Sequence, residues 1–202
     1  WPFEGEHSFA TLDGATDEVA AGLMAAGVEQ GHRVGVWATN HVRWALLQLA
    51  TARIGASLVT VNPAYRTAEV EHALRTAEVG TLFLIPGFKT SDYVASVLEI
   101  MDRGGLEDLS RVVFWDPAAP DERATPDPRM TSWSAFEEAG HGTGREAIAA
   151  REATLDPDQP INIQFTSGTT GAPKAVTLSH SNLVNNAYLA AGATGTSPED
   201  RL

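Results

Sequence analysis

An α/β fold, doubly wound, with mainly parallel sheets covered by helices, is predicted by three observations. Short apolar runs recur along the chain with little polar alternation. Segments with apolar residues at i, i+3, i+4 and i+7 separate them, and those segments are long enough to act as crossovers between strands. Runs of this kind suit parallel strands buried on both faces.

The elements follow in order. Asp13 to Ala26 (DGATDEVAAGLMAA) reads as a helix, and Gly27 and Gly31 punctuate the turn after it. Arg33 to Ala38 (RVGVWA) is the first strand-like run, and Val42 to Ile54 (VRWALLQLATARI) a largely buried helix. Ser57 to Val61 (SLVTV) is the second run, followed by a helix whose apolar stripe is Val70, Ala73, Leu74 and Ala77. Thr81 to Ile85 (TLFLI) is the third, and the next helix, about Ser91 to Met101, carries Val94, Val97, Leu98 and Met101 on one face. Arg111 to Trp115 (RVVFW) makes the fourth run. Asp116 to Arg129, with four prolines and mixed charges, reads as a surface loop or linker, and Trp133 to Glu138 and Arg145 to Glu152 as weaker helical pieces. Ile161 to Phe165 alternates as a strand, Ala175 to Leu178 as a returning strand, and Ser181 to Ala191 as a helix. The division expected is a first α/β unit over 1–115, a linker with weak helices over 116–160, and a hairpin with its following helix over 161–202. Trp37, Trp44 and Trp115 are expected in the core.

Composition excludes several classes of function. With 202 residues the chain can bury a sizeable core, and 43% hydrophobic with 20% charged residues is ordinary for a globular protein. A formal net charge of −12, with the basic residues scattered singly, argues against nucleic acid and anionic membrane surfaces as partners. Cysteine is absent, which removes disulfides, thiolate nucleophiles and Cys-based metal sites. No apolar run approaches the roughly 20 residues of a membrane span, and no leader pattern opens the chain. A cytoplasmic protein, at most peripheral to a membrane, is the resulting expectation. Trp1 is not an initiator methionine, so the chain is expected to begin inside a longer protein.

The segment richest in chemistry is Phe165-Thr-Ser-Gly-Thr-Thr-Gly-Ala-Pro-Lys-Ala-Val176. Thr166, Ser167, Thr169 and Thr170 supply hydroxyl donors. Gly168 and Gly171 let the backbone approach a ligand closely, and successive N–H groups can form an anion-binding concavity. Lys174 adds a mobile cation, in a chain whose one other lysine is Lys89. The combination suits a polyphosphate, with a nucleoside triphosphate the expected ligand. It is not a Walker A loop, because Pro173 precedes the lysine and Ala175 follows it. Nor is Gly140-His-Gly-Thr-Gly144 a Rossmann loop, since no strand-like run precedes it and its third glycine is misplaced.

Thr166 to Lys174 resembles, residue for residue, the phosphate-binding signature of the adenylate-forming (AMP-binding) superfamily. Leu178-Ser-His-Ser-Asn-Leu183 and Gly31-His-Arg-Val-Gly-Val36 are similar to two further segments of that family, and Asn62-Pro-Ala-Tyr-Arg-Thr67 to one typical of its fatty-acyl-CoA synthetase branch. The resemblance implies the N-terminal part of the AMP-binding domain of such an enzyme, with the C-terminal domain absent from this chain. It also implies ATP-dependent activation of a carboxylic acid, most simply a fatty acid, to acyl-AMP, then thioester formation with CoA. ATP, Mg2+ and CoA would be the co-substrates and ion required. Thr166, Ser167, Gly168, Thr169, Thr170, Gly171 and Lys174 would bind the ATP phosphates. No catalytic residue and no metal ligand is assigned within the chain. Two alternatives are an adenylating enzyme with another acceptor, as in peptide synthetases and luciferases, and a non-catalytic nucleotide-binding fragment. Members of the family usually carry glycine where Ala175 stands, which is harmless only if φ stays negative there.

Histidine offers less. His180 has a side chain suited to general-base work near neutral pH, but its place between a strand and a helix is explained as well by packing. His7, His32, His41, His72 and His141 have no mutual spacing that suggests a metal site.

Overall fold

The computed structural model describes residues 8–118, 125–166, 173–197 and 200. In chain order the elements are α1 (Phe9–Ala25), β1 (Arg33–Trp37), α2 (Val42–Arg53), β2 (Ser57–Thr60), α3 (Thr67–Thr76) and β3 (Thr81–Leu84). A small hairpin of β4 (Gly87–Phe88) and β5 (Ser91–Asp92) follows, then α4 (Tyr93–Asp102), β6 (Arg111–Phe114), β7 (Met130–Ser132) and α5 (Trp133–Gly140). The chain continues through α6 (Arg145–Glu152), β8 (Pro160–Thr166), β9 (Lys174–Ser179) and α7 (His180–Thr194).

Seven strands form one sheet in the order β7-β6-β3-β1-β2-β8-β9. Every neighbouring pair is parallel except β8 and β9, which run antiparallel. The chain moves outward from β1 to β2 and then returns to β1's other side to lay down β3 and β6. With right-handed crossovers, the two directions of travel put helices on opposite faces. α1 packs on α2, α5 and α6, while α3 packs on α4, consistent with two helical layers around a doubly wound sheet.

The strands form where the apolar runs are because those residues are covered on both sides. Val34, Val36, Trp37, Leu58, Leu82, Phe83, Leu84 and Val113 are all inaccessible to solvent or nearly so. Trp37 and Trp115 lie in the core as expected, whereas Trp44 is half-buried against it. Helix starts are set by side-chain caps: Ser8, Asp92, Ser132 and Ser179 each accept a hydrogen bond from a backbone N–H two or three residues into the helix. The Ser8 cap starts the first helix four residues earlier than its apolar pattern indicates.

Two features depart from the reading of the sequence. Ser91 and Asp92, expected to open a helix, pair instead with Gly87 and Phe88, and Asp92 then caps α4. The 116–160 stretch, expected to be a linker with weak helices, adds β7 to the sheet edge beside β6 and sends α5 into the core. Trp133 and Phe136 of α5 are almost completely buried and meet Phe83 edge-on, at centroid distances of 5.7 and 5.1 Å. Ser132 ends the strand and caps the helix at once, so no turn sequence marks the junction.

Candidate functional site

β8 carries the chain out of the core. Ile161, Asn162 and Ile163 are buried, Gln164 is exposed, Phe165 is half-buried and Thr166 is exposed. Because β8 is parallel to β2, with Leu58 opposite Asn162 and Thr60 opposite Gln164, Thr166 emerges at the carboxyl edge of the sheet. In open α/β sheets that edge is where ligands bind. β9 returns antiparallel, pairing Phe165 with Ala175 and Thr166 with Lys174. The two outer residues of the expected phosphate loop are thereby held side by side. Ser167, Gly168, Thr169, Thr170 and Gly171 lie outside the described residues.

Lys174 is exposed at the start of β9. Ala175 lies within the ladder, and the described non-glycine residues with positive φ are Glu78 and Lys89 alone. The methyl group at 175 therefore carries no left-handed strain.

The segment Asn62 to Thr67, at the same edge, is fixed from below. Trp37 Nε1 donates to the Asn62 carbonyl oxygen at 3.2 Å, and the Tyr93 hydroxyl donates to the Pro63 carbonyl oxygen at 2.7 Å. Asn62 Oδ1 accepts from the Ala64 N–H, closing an Asx turn, and Glu69 reaches back to the Arg66 N–H at 2.8 Å. Arg66 itself donates to Ser91 Oγ. Burial pushes the Tyr93 phenol up to about 12. This turn sets the entry angle of α3, and α3 carries His72 to the hairpin. His72 Nε2 is 3.3 Å from the Pro173 carbonyl oxygen, and its ring meets Phe165 edge-on.

His72 is a residue that spacing arguments pass over. It lies outside the Val70, Ala73, Leu74, Ala77 stripe and is 101 positions from Pro173 in sequence. His180 goes the other way. β9 spans six residues, about 20 Å at roughly 3.4 Å each, so His180 sits at the amino edge of the sheet, remote from Lys174. There it lines a groove of about 780 Å³ with Phe9, Leu12, Leu49, Arg53 and Leu155. A general-base role in chemistry beside Lys174 is excluded by that distance. Among the described residues no group of three or more His, Asp or Glu is arranged to hold a metal ion, and no helix is long and apolar enough to cross a membrane.

The fold is an open α/β sheet whose carboxyl edge carries a hairpin closed by Thr166 and the exposed Lys174. The family description "AMP-binding enzyme" matches residues 3–202, and the chain belongs to that family. It is 38% identical over 192 residues to the mitochondrial medium-chain acyl-CoA ligase ACSF2 of Danio rerio, covering 90% of this chain and 30% of that protein. YngI of Bacillus subtilis (strain 168) is 31% identical over 203 residues, covering 97% of this chain and 36% of that protein. Among solved structures, ATP-bound MatB from Rhodopseudomonas palustris superposes with a TM-score of 0.73 at 26% identity, over 97% of this chain and 34% of that one. The chain thus spans about a third of the length of the relatives it matches.

Proposed function

We propose that the full-length protein activates a carboxylic acid with ATP and transfers the acyl group to CoA. The observation that carries this reading is the hairpin closed by Thr166 and Lys174 at the carboxyl edge of the sheet, with Lys174 exposed above it. The chemistry asks for little else from this part of the molecule. A carboxylate oxygen attacks the α-phosphorus of ATP, the bond between that phosphorus and the bridging oxygen breaks, and pyrophosphate leaves. The CoA thiolate then attacks the acyl carbonyl, and AMP leaves. The first step puts negative charge on the departing pyrophosphate, which must be held in line with the attack. Thr166, Ser167, Gly168, Thr169, Thr170 and Gly171 would surround the β- and γ-phosphates with N–H and O–H donors, and Lys174 would neutralise their charge.

The ACSF2 relatives are medium-chain acyl-CoA ligases, which supports a fatty acid as the substrate and a place in lipid metabolism. Mg2+ would accompany ATP as its phosphate counter-ion. A cytoplasmic location is part of the same proposal, although the ACSF2 relatives are mitochondrial. Acid-dependent exchange of labelled pyrophosphate into ATP tests the activation step. Exchange with medium-chain fatty acids is expected, and its absence with every fatty and aryl acid tried rejects the reading. Release of AMP that depends on CoA separates CoA from other acceptors.

A further inference from the structure

His72 touches both shoulders of the hairpin. On one side its Nε2 lies 3.3 Å from the carbonyl oxygen of Pro173. On the other its ring meets the Phe165 ring edge-on, with centroids 6.5 Å apart and planes at 67°. A carbonyl oxygen only accepts, so Nε2 carries the hydrogen. Pro173 has no N–H with which to join a ladder, which leaves its carbonyl as the backbone group through which it can be anchored. Phe165 is the strand partner of Ala175. The two contacts therefore bracket Lys174: one holds the residue before it, and the other holds the strand opposite the residue after it.

That bracket matters because of what Lys174 has to do. A lysine side chain is a compact charge on a flexible stem. Its free end can meet an anion repeatedly in one place only if the backbone beneath it is fixed. β9 lies at the sheet edge, with β8 as its strand neighbour, so its first residues have ladder support from one side alone. The helix α3 supplies the second support through His72, and α3 is aimed by the Asn62 to Thr67 turn, itself tied to Trp37 and Tyr93.

We infer that His72 is a positioning residue for the phosphate-binding lysine: it clamps the Phe165 and Pro173 shoulders and so holds Lys174 in place for a nucleoside triphosphate. This rests on the reading of the hairpin as the ATP phosphate site.

Two variants separate the clamp from packing. His72→Phe keeps an aromatic ring beside Phe165 but removes the donor, and His72→Gln restores an N–H donor of similar reach. In the full-length protein two readouts are taken. Amide hydrogen exchange of the peptide covering 173–178, measured without ligand, is expected to quicken about 3- to 10-fold in His72→Phe and to return near wild type in His72→Gln. The KM for ATP in pyrophosphate exchange is expected to rise by a similar factor in His72→Phe with kcat little changed, and to recover in His72→Gln. Wild-type hydrogen exchange in the Phe variant overturns the inference. So does a Gln variant no better than Phe, or an unchanged KM beside a lowered thermal midpoint, which would mark His72 as packing alone. If hydrogen exchange behaves as expected but the wild-type enzyme exchanges no pyrophosphate with any acid, the clamp stands and the acid-activating reading falls.

Discussion

Trp37 and Tyr93 stack face to face, with ring centroids 3.6 Å apart and planes 10° from parallel. Each also donates a hydrogen bond to a carbonyl of the Asn62-Pro63 turn. The pair links the end of β1 to the start of α4 and holds between them the turn from which α3 departs. Its polar atoms are satisfied although both side chains are fully buried.

The buried phenol has a signature in alkali. Its pKa is raised from 10.0 to about 12 because burial disfavours the charged form. A folded value above the unfolded one means that the folded state binds the extra proton between them. Stability is therefore complete below pH 10 and falls as pH rises through 12, by roughly 2–3 kcal/mol. Tyr93→Phe should abolish that share of the alkaline decline, and the absorbance of ionised tyrosine lost in the variant should titrate near pH 12. A Tyr93 contribution centred at pH 10 would contradict the burial described.

Lys174→Ala should slow acid-dependent pyrophosphate exchange about 10- to 100-fold, since one charge-assisted contact is worth roughly 1.5–3 kcal/mol. The fold should be untouched, because the side chain is exposed at a sheet edge. Lys89→Ala, in the turn between β4 and β5, is the matched control and should leave the rate as it was. An unchanged rate in Lys174→Ala removes that residue from the mechanism.

Gly140 is required by packing. A Cβ there would lie 2.6 Å from the Gly22 backbone nitrogen, and one at Gly22 would lie 2.7 Å from the Phe136 ring. α1 and α5 cross at this pair of glycines. Gly140→Ala should destabilise the protein by about 1–3 kcal/mol in urea unfolding, because backbone cannot yield as a side-chain end can. Gly142→Ala, with no atom within 4 Å of the added methyl, should stay within roughly 0.5 kcal/mol. Equal stability of the two variants would refute the close crossing.

Arg53 ties α2 to α1 through Asp13 and Asp17, and Arg145 of α6 reaches the same two carboxylates. Hydrogen bonds from Arg53 and then Arg145 hold the Asp13 carboxyl below its usual value. A depressed folded pKa gives stability that is present above the unfolded value and lost as pH falls through the folded one. Arg53→Met should therefore lower the thermal midpoint at pH 7, and the gap from wild type should narrow below about pH 4. A gap independent of pH would mean that Arg53 acts through packing alone.

The central strands were legible because burial on both faces leaves a direct mark: Val34 to Trp37, Leu58 with Val59, and Leu82 to Leu84 are buried apolar runs. β7 left no such mark. Three residues, Met130 to Ser132, become a strand because β6 offers a free edge, and that is a fact about geometry rather than about their composition. The same holds for the site. Thr166 and Lys174 are near neighbours in sequence, so a hairpin brings them together and a motif can reveal them. His72 meets Pro173 only after two crossovers have folded back on each other, and no local pattern encodes that meeting.

The lysines of the chain have a practical consequence. The 202 residues hold two, Lys89 over the Phe88 ring and Lys174 on β9, and both are exposed. An amine-reactive reagent read by peptide mapping would find in Lys89 an internal standard and in Lys174 a reporter. The ratio of the two adducts would measure how much of the hairpin is shielded, with no substrate turned over.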